Sequence, residues 1–415
     1  MNRMGTRPLR PVIVIAGLVG ISPFATDMYL PALPAIATDL NASTDVVQLS
    51  LTAFLVGLAV GQLVLGPISD GIGRRRLLLA GTAAFALASV ACALAPNAWV
   101  LVIARVVQGV AGAAGVVCGR ATVSDTRTGR DAHRLFSTIA AITAIGPAAA
   151  PLLGGLVLLG GDWRWIFAVL AVVGSLLFVG VLLFFPESLP AEARDGTSVR
   201  STIRRVGVLL TTGPFVRYVV LGCIATAGFF TYIAAGSFVF QQQLGASEFL
   251  YTIIFAVNAG MMILSTSVMR RLVARFNPEV TLLAGLLICT TGSVVLFGLA
   301  AAGIESIAAA WVCLAAVTAG WGFLTTSSVI LAQQAGAAYA GTAAALQGGL
   351  VFGVGGLMTP LTGIIGENLL AMSSIMALML SAATVFWFAS LRWRVKDIDE
   401  APVTEAVRAE PAAEL

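Results

Sequence analysis

Charged residues are scarce in this chain. Asp, Glu, Lys and Arg make up only 11% of its 415 residues, whereas soluble globular proteins average about 25%. The chain therefore has too few charges to cover its own surface with water-facing groups, which excludes an ordinary water-soluble fold. Because 58% of the residues are hydrophobic and the mean hydropathy is +0.96, the composition is that of an integral membrane protein.

The sequence also lacks the residue clusters that hold metals or disulfides. The single histidine, His133, lies in a basic loop, and no CxxC pair is present. The five cysteines all lie within apolar runs: Cys92, Cys118, Cys223, Cys289 and Cys313. We interpret them as small hydrophobic residues, so the sequence predicts neither a disulfide framework nor a metal centre.

Long apolar runs dominate what is present. A helix needs about 20 mainly apolar residues to cross a bilayer, and twelve runs qualify. They lie near residues 11–33, 46–65, 77–95, 98–119, 135–159, 163–185, 215–239, 250–269, 279–301, 306–331, 341–364 and 370–391. We therefore predict an all-α integral membrane protein with twelve transmembrane helices.

The only long polar stretch between spans divides the chain into two halves. The predicted parts are a cytoplasmic N-terminus (1–10), an N-terminal half (11–186), a cytoplasmic linker (187–214), a C-terminal half (215–392) and a disordered cytoplasmic tail (393–415). Six spans in each half return the chain to the side from which it started, so both halves enter the membrane in the same direction. This pattern predicts two pseudo-symmetric six-helix bundles.

The basic residues orient the predicted bundle. All of the 24 lysines and arginines except Arg105 and Arg164 fall on one side if every span crosses. The opposite loops are acidic and hold Asp39, Asp45, Asp162, Glu248, Glu305 and Glu367. Because cytoplasmic loops carry the excess of Arg and Lys, both termini are predicted to be cytoplasmic.

The start of the chain has a second interpretation. Arginines within residues 1–10, the apolar run after them and Ala35-Ile36-Ala37 would also suit a cleaved secretory signal. The apolar run is longer than the core of a normal signal, however, and it carries Asp27. We therefore favour a retained first span.

Asp27 is an acidic residue within the first predicted transmembrane span. It lies in a first span that also contains Pro23, Pro31 and Pro34, and prolines remove backbone donors and bend a helix. A poorly solvated carboxyl group can exchange protons near neutral pH. We therefore predict that Asp27 binds protons or cationic substrates, the alternative being a hydrated cap at the outer mouth.

Arg105 is the second ionisable group within a span. A charge at the bilayer centre costs about 2.5–3.5 kcal/mol on insertion scales, and arginine does not lose its proton. Gly109, Gly112 and Gly115 follow it and give span four a small-residue face for close helix contact. Arg105 is predicted to hold a partner charge or to tune Asp27; a structural or snorkelling arginine is the alternative.

Two other segments carry unusual glycine and proline patterns. Span five is predicted to be a kinked helix that packs tightly and rocks against its neighbours, or that only packs; its residues are Gly146, Pro147, Pro151, Gly154 and Gly155. The loop after span two places a carboxylate beside arginines, which offers a latch between states, although an arginine cluster there also serves topology. The loop residues concerned are Gly66, Asp70, Gly73, Arg74, Arg75 and Arg76.

These segments together resemble the major facilitator superfamily, and within it the twelve-span drug:proton antiporters. Gly66–Leu78 is similar to the superfamily signature loop, with Gly71 where a base is usual. The resemblance implies that Asp70 and Arg74 latch the two halves together on the cytoplasmic side. It implies a shared fold along nearly the whole chain, the major facilitator fold.

Two further motifs carry the same resemblance. Arg105-x-x-Gln108-Gly109 is similar to the span-four motif that the family uses in proton coupling. The span-five residues are similar to the antiporter motif, with Ala150 in place of its central glycine. Both motifs imply exchange of substrate against protons.

The start of the chain narrows the resemblance to one subgroup. The segment TDMYLPALPAI resembles the bicyclomycin-resistance-like (Bcr/CflA) multidrug efflux proteins, and the stretch from Arg120 to Asp125 is similar to the end of their fourth span. We group Arg120 and Asp125 with Gly66, Asp70, Gly73 and Arg74 as predicted gating residues. The resemblance implies that Asp27 is the span-one acid that takes part in proton or substrate binding.

We therefore expect a monomeric exporter in a bacterial inner membrane that exchanges small, largely apolar drugs for protons by alternating access. The proton gradient is its energy source, it needs no cofactor, and its partners are lipid, substrates and protons, not nucleic acid. The predicted proton-coupling and cavity residues are Asp27, Tyr29, Arg105, Gln108, Phe229, Tyr232, Phe238 and Asn258. An uptake symporter or dedicated metabolite exporter of the same fold is the leading alternative, ahead of a membrane enzyme or channel.

Overall fold

The computed structural model describes residues 9–126, 146, 149–189, 199–272, 276–366 and 368–393. Every regular element within those residues is helical. Several predicted features lie outside them: Pro147, His133, Glu367, the bases Arg127, Arg130 and Arg134, and the tail from residue 394.

The first half begins with a broken span. α1 (Leu9–Asp27) and α2 (Leu33–Asp39) are joined by a 3-10 turn at Leu30–Ala32. Pro31 and Pro34 are the second residues of the turn and of α2, within the first turn where proline's missing N–H costs least. The remaining helices of this half are α3 (Thr44–Ile72), α4 (Arg74–Ala93), α5 (Ala98–Thr126), α6 (Ala149–Leu158) and α7 (Arg164–Phe184).

The second half follows a short surface helix. α8 (Val199–Thr211) lies within the predicted linker and packs against α9 and α13. The spans of this half are α9 (Gly213–Phe238), α10 (Glu248–Leu272), α11 (Pro278–Ala301), α12 (Ile307–Ala335), α13 (Ala340–Ile365) and α14 (Leu369–Ala389). A π-helical turn, Val239–Gln243, extends α9.

Eleven described helical segments are long and apolar enough to cross a membrane, and they match predicted spans one to four and six to twelve. α6 is shorter and occupies the place of predicted span five, whose first part falls largely outside the described residues. Large apolar side chains point outward, among them Leu87 and Val312 at 71% and 70% exposure. Helices with such an outer face suit lipid, because helices satisfy their own backbone groups. The predicted all-α membrane fold is confirmed.

The charged groups separate to two ends of the molecule. At one end, which we call the acid-rich end, Arg164 at the start of α7 binds Asp39 at the end of α2 with an N–O distance of 2.6 Å. Trp163 donates to the same carboxylate at 3.1 Å. At the other end, the arginine-rich end, the start of α4 meets the end of α5. The loops that the charge pattern assigned to opposite sides therefore lie at opposite ends.

Candidate functional site

A cavity of about 470 Å³ lies between the two halves. Residues of α1, α3 and α5 line one wall, and residues of α9, α10, α12 and α13 line the other. Most of its surface is apolar, and the rings of Phe229 and Trp321 stack in it at 4.3 Å between centroids. Asp27 and Arg120 are the only charged residues among the described lining. A mainly apolar cavity with a few polar groups is the usual form of a small-molecule site.

The two halves close on each other at the acid-rich end of this cavity. Gln241 donates to the carbonyl of Pro31 at 2.9 Å, and Gln48 donates to that of Ala234 at 3.3 Å. Nearer the middle, Thr52 of α3 donates to the carbonyl of Gly356 in α13 at 2.6 Å. We call these three cross-half hydrogen bonds the seal. They bring the two halves into contact at the acid-rich end of the cavity.

Glycines of α6 allow part of this closure. A Cβ at Gly155 would lie 2.7 Å from the Thr252 side chain of α10, and a Cβ at Gly154 would collide with the Met28 carbonyl. A Cβ at Gly146 would lie 2.7 Å from the Pro23 side chain. Pro151 is buried within α6. The predicted span-five motif therefore meets both the first span and the opposite half.

Asp27 is the last residue of α1 and lines the cavity close to the seal. Its side chain is only 9% exposed. The positive charge of Arg105 acts on it through space. The helix ends at Asp27 because the following turn contains Pro31, so the chain positions this carboxyl at a break in the first span.

Arg105 lies behind the cavity wall, with no exposed surface. Its Nη1 donates to the carbonyl of Ala25 at 2.9 Å and to Gln108 at 2.7 Å, and its Nε donates to the carbonyl of Ser50 at 3.3 Å. All of these acceptors are neutral. No carboxylate among the described residues is bonded to Arg105, and its acceptor Ala25 lies two residues before Asp27 on α1.

Two aromatic rings enclose the Arg105 guanidinium. Its carbon lies 4.5 Å from the centroid of Tyr29 and 4.3 Å from that of Phe54, within the range of cation–π attraction. Gln108 turns its amide NH2 toward Ser89 at 2.7 Å. Tyr29 and Gln108 therefore belong to the Arg105 environment and do not line the cavity, where sequence analysis had placed them.

Three of the other predicted cavity residues do line it: Phe229, Tyr232 and Asn258. The Asn258 amide donates to the Tyr232 hydroxyl at 3.0 Å, which fixes both side chains. Phe238 lies six residues after Tyr232 on α9, fully buried and outside the cavity lining. Trp321 and Arg120 were missed as cavity residues, because only the packing of the helices shows which faces meet.

The signature loop forms a cluster at the arginine-rich end. The turn bends at Gly73, whose φ of 96° favours glycine. Arg74 pairs with Asp70, one turn earlier, and with Asp125 at 3.2 Å. Its backbone N–H donates to Glu187 at 2.9 Å. Asp70 and Asp125 belong to the N-terminal half and Glu187 begins the predicted linker, so Arg74 forms no latch to the C-terminal half with any described residue in this conformation.

The other residues grouped with this loop lie apart from the Arg74 cluster. Gly66 lies in α3, and Arg120 points into the cavity. Arg120 is exposed, and none of the described residues forms a hydrogen bond or ion pair with it. Arg120 was predicted as a gating residue, whereas its position is that of a cavity residue.

A second buried arginine was not foreseen. Arg217, counted from sequence as a loop base, has no exposed surface and binds Glu279 of α11 at 2.8 Å. Tyr218 also donates to Glu279, and the Arg217 Nε donates to Ser390 at 3.0 Å. The only sequence signal was an acid at the first turn of an apolar run, which is also where a simple helix cap would lie.

Comparison with known proteins decides the family. The family model for the Major Facilitator Superfamily matches residues 15–360. The chain belongs to this superfamily. It is 35% identical over 402 residues to the MFS-type transporter YdgK of Bacillus subtilis strain 168, covering 95% of this chain and 98% of that protein. Transporters of this superfamily act on small molecules, so the chain is a transporter and an integral membrane protein.

A second relative and a solved structure agree with this assignment. The bicyclomycin resistance protein homolog of Haemophilus influenzae is 30% identical over 271 residues, covering 65% of this transporter and 68% of that protein. The crystal structure of a D-xylose-proton symporter matches 91% of this transporter and 97% of its own chain with a TM-score of 0.71, at 16% identity. The predicted major facilitator fold and the placement among drug-efflux relatives are confirmed.

Proposed function

We propose that this transporter exports small, largely apolar compounds, antibiotics among them, in exchange for protons. One observation carries the proposal: Asp27, the one acid among the described residues that line the cavity, lies close to the seal. A proton that reached Asp27 from the acid-rich side would arrive at the base of the cavity that holds the substrate. The relative named for bicyclomycin resistance supports drugs as the cargo.

The proposed cycle is alternating access. The arginine-rich end is taken as cytoplasmic under the positive-inside rule, so that the termini face the cytoplasm of a bacterium and the cavity opens inward. Substrate enters from that side, the seal opens, and protonation of Asp27 accompanies release. Each proton moving inward gains about 2.3 kcal/mol per 100 mV of membrane potential. The protein is proposed to act as a monomer, with the proton gradient as its energy source.

Arg105 has a supporting role in this proposal. Its permanent charge favours the ionised form of Asp27 after the substrate has left, so that the proton is released inward. Its acceptors are backbone and amide oxygens that remain neutral through the cycle. The charge on Arg105 therefore stays constant while the charge on Asp27 changes.

The test uses energised inside-out vesicles and a pH-gradient dye. Antibiotics and cationic dyes are added to vesicles with wild type, Asp27→Asn, Asp45→Asn or no transporter. We expect a substrate-induced loss of the gradient with wild type and Asp45→Asn only, because Asp45 lies outside the cavity. An equal response from Asp27→Asn would remove that residue from the coupling, and no response to any compound would favour the dedicated metabolite carrier.

A further inference from the structure

The cavity carries an uncompensated positive charge. Its charged lining residues within the described chain are Asp27 and Arg120. The charge of Asp27 is opposed by Arg105, which lies behind the same wall and has no carboxylate bonded to it within the part of the chain that the structure describes. Arg120 has no acidic partner among the described residues.

Protonation of Asp27 does not reverse this sign. With Asp27 ionised, Asp27 and Arg105 cancel and Arg120 leaves a net charge of one positive unit. With Asp27 protonated, the positive charge of Arg105 is added to it. The cavity is therefore positive in both protonation states, and it disfavours a cationic guest in both.

The two charged residues lie far apart along the cavity. α5 runs against α1, so that Gly112 faces Ser22 and Gly119 faces Val19 and Ile15. Arg120 is therefore level with about residue 17 of α1, some ten residues before Asp27. At 1.5 Å per residue, the separation along the helix axis is roughly 15 Å.

Aromatic side chains line the part of the cavity that is far from Arg120. Phe229 packs against Trp321 and, at 6.1 Å, against Tyr232, which bonds to Asn258. Near the other end of the cavity lie amide side chains, Gln333 and Gln347, which bond to each other at 3.4 Å. An apolar deep part and a cationic mouth match a molecule with an aromatic body and a negative head.

We propose that the preferred substrates of this transporter are amphiphilic monoanions. Their carboxylate or sulfonate binds Arg120, whose planar guanidinium suits a carboxylate in two parallel hydrogen bonds. Their aromatic body lies against the stacked Phe229 and Trp321. This inference rests on the proposed export function for its biological direction, but ligand selection by the cavity can be measured without transport.

The experiment uses three probes with one ring: 1-naphthaleneacetate, its neutral amide 1-naphthaleneacetamide, and the cation 1-(1-naphthyl)ethylamine. Binding to the purified full-length transporter is measured by calorimetry and by quenching of tryptophan fluorescence. For wild type we expect the anion to bind about tenfold tighter than the amide, and the cation to bind most weakly. Arg120→Gln should bring the anion-to-amide ratio to about one and leave amide affinity within about twofold.

Two further variants make the result specific. Arg120→Lys keeps the charge but not the paired geometry, so part of the anion preference should remain. Arg76→Gln removes an exposed arginine from the same end of the molecule but outside the cavity lining, and the preference should not change. Unchanged amide binding in Arg120→Gln also reports an intact cavity.

Other outcomes overturn the proposal. A wild-type preference for the amide or the cation, an anion preference that survives Arg120→Gln, or no binding of any probe would each do so. The exporter proposal fails separately: anion binding without substrate-driven proton movement in vesicles would retain the ligand class and discard the coupling. Proton-coupled export of cationic dyes together with cation-selective binding would retain the coupling and discard the ligand class.

Discussion

Arg105 and Arg217 are both fully buried, yet the surrounding protein treats their charges differently. Arg217 is neutralised by Glu279, which it meets with two nitrogens, at 2.8 Å and 3.5 Å. Arg105 is held by neutral oxygens and aromatic rings, and its Nη2 has no hydrogen-bond partner among the described residues. The difference indicates a structural ion pair at Arg217 and a charge that is free to act on its surroundings at Arg105.

Removing the acidic partner of Arg217 should give the largest loss of stability. Glu279→Gln leaves a buried guanidinium unpaired, and removing one partner of a buried pair costs about 3–5 kcal/mol. We expect a marked fall in the thermal unfolding midpoint of the detergent-purified protein. The double variant Arg217→Met with Glu279→Gln should recover much of the loss, because no unpaired charge remains.

An exposed pair provides the control for this prediction. Asp39 and Arg164 have side chains that are 47% and 34% exposed, and exposed pairs contribute about 0–1 kcal/mol. Asp39→Asn should therefore change the midpoint little. If Glu279→Gln behaves like Asp39→Asn, the view of Arg217 as a structural pair is wrong.

A smaller effect on stability, but a clear effect on transport, is expected at Arg105. Arg105→Lys keeps the charge but cannot reach the Ala25, Gln108 and Ser50 oxygens together. Losing one charge-assisted hydrogen bond costs about 1.5–3 kcal/mol. We expect proton-coupled exchange in vesicles to fall by roughly tenfold or more, since 1.4 kcal/mol corresponds to a factor of ten.

An arginine-to-lysine substitution at Arg217 tests whether the two buried arginines have different roles. Arg217→Lys retains an ammonium that can still pair with Glu279, so exchange per folded molecule should stay close to wild type. Equal loss of exchange per folded molecule in the two lysine variants would contradict the assignment of distinct roles.

The smallest expected effect on exchange comes from a substitution that displaces Arg105 but leaves its side chain unchanged. A Cβ at Gly109 would collide with the Phe54 carbonyl of α3, and overpacking typically costs about 1–3 kcal/mol. Gly109→Ala should separate α5 from α3, lengthen the bond from Arg105 to Ser50, and lower both exchange and the unfolding midpoint.

Gly298→Ala is the matched control on the helix of Glu279. A Cβ at Gly298 meets nothing within 4 Å, and alanine is favoured over glycine inside a helix by up to about 1 kcal/mol. The midpoint should stay constant or rise slightly. A fall as large as that of Gly109→Ala would mean that loss of glycine itself, and not contact at α3, causes the effect.

Sequence reasoning was most successful where the signal is local. An apolar run predicts a span by itself, and a charge inside a run identifies itself, so eleven spans, Asp27 and Arg105 were found directly. Arg217 escaped notice because it is the fifth residue of α9, where a base also suits the membrane surface. Its burial depends on Glu279, sixty-two positions later.

The same reason limits the cavity prediction. The need of Tyr29 for a polar partner could be predicted from its depth, but that partner is Ser50 on the next helix, away from the cavity. Arg120 was grouped with Asp125 because both belong to the stretch that resembles the end of the fourth span in the bicyclomycin-resistance-like subgroup. Five residues along a helix turn the side chain by more than one turn, and only Asp125 meets Arg74.

The free energy of the seal can be compared with the energy that one proton gains in crossing the membrane. Its three hydrogen bonds join Gln241, Gln48 and Thr52 to backbone carbonyls of the opposite half. A neutral hydrogen bond contributes about 1 kcal/mol net, so these three bonds add a few kcal/mol to the packing between the halves. One proton crossing a potential of 100 mV supplies about 2.3 kcal/mol. Under the proposed proton exchange, the contribution of the seal is therefore small enough for one or two protons to offset.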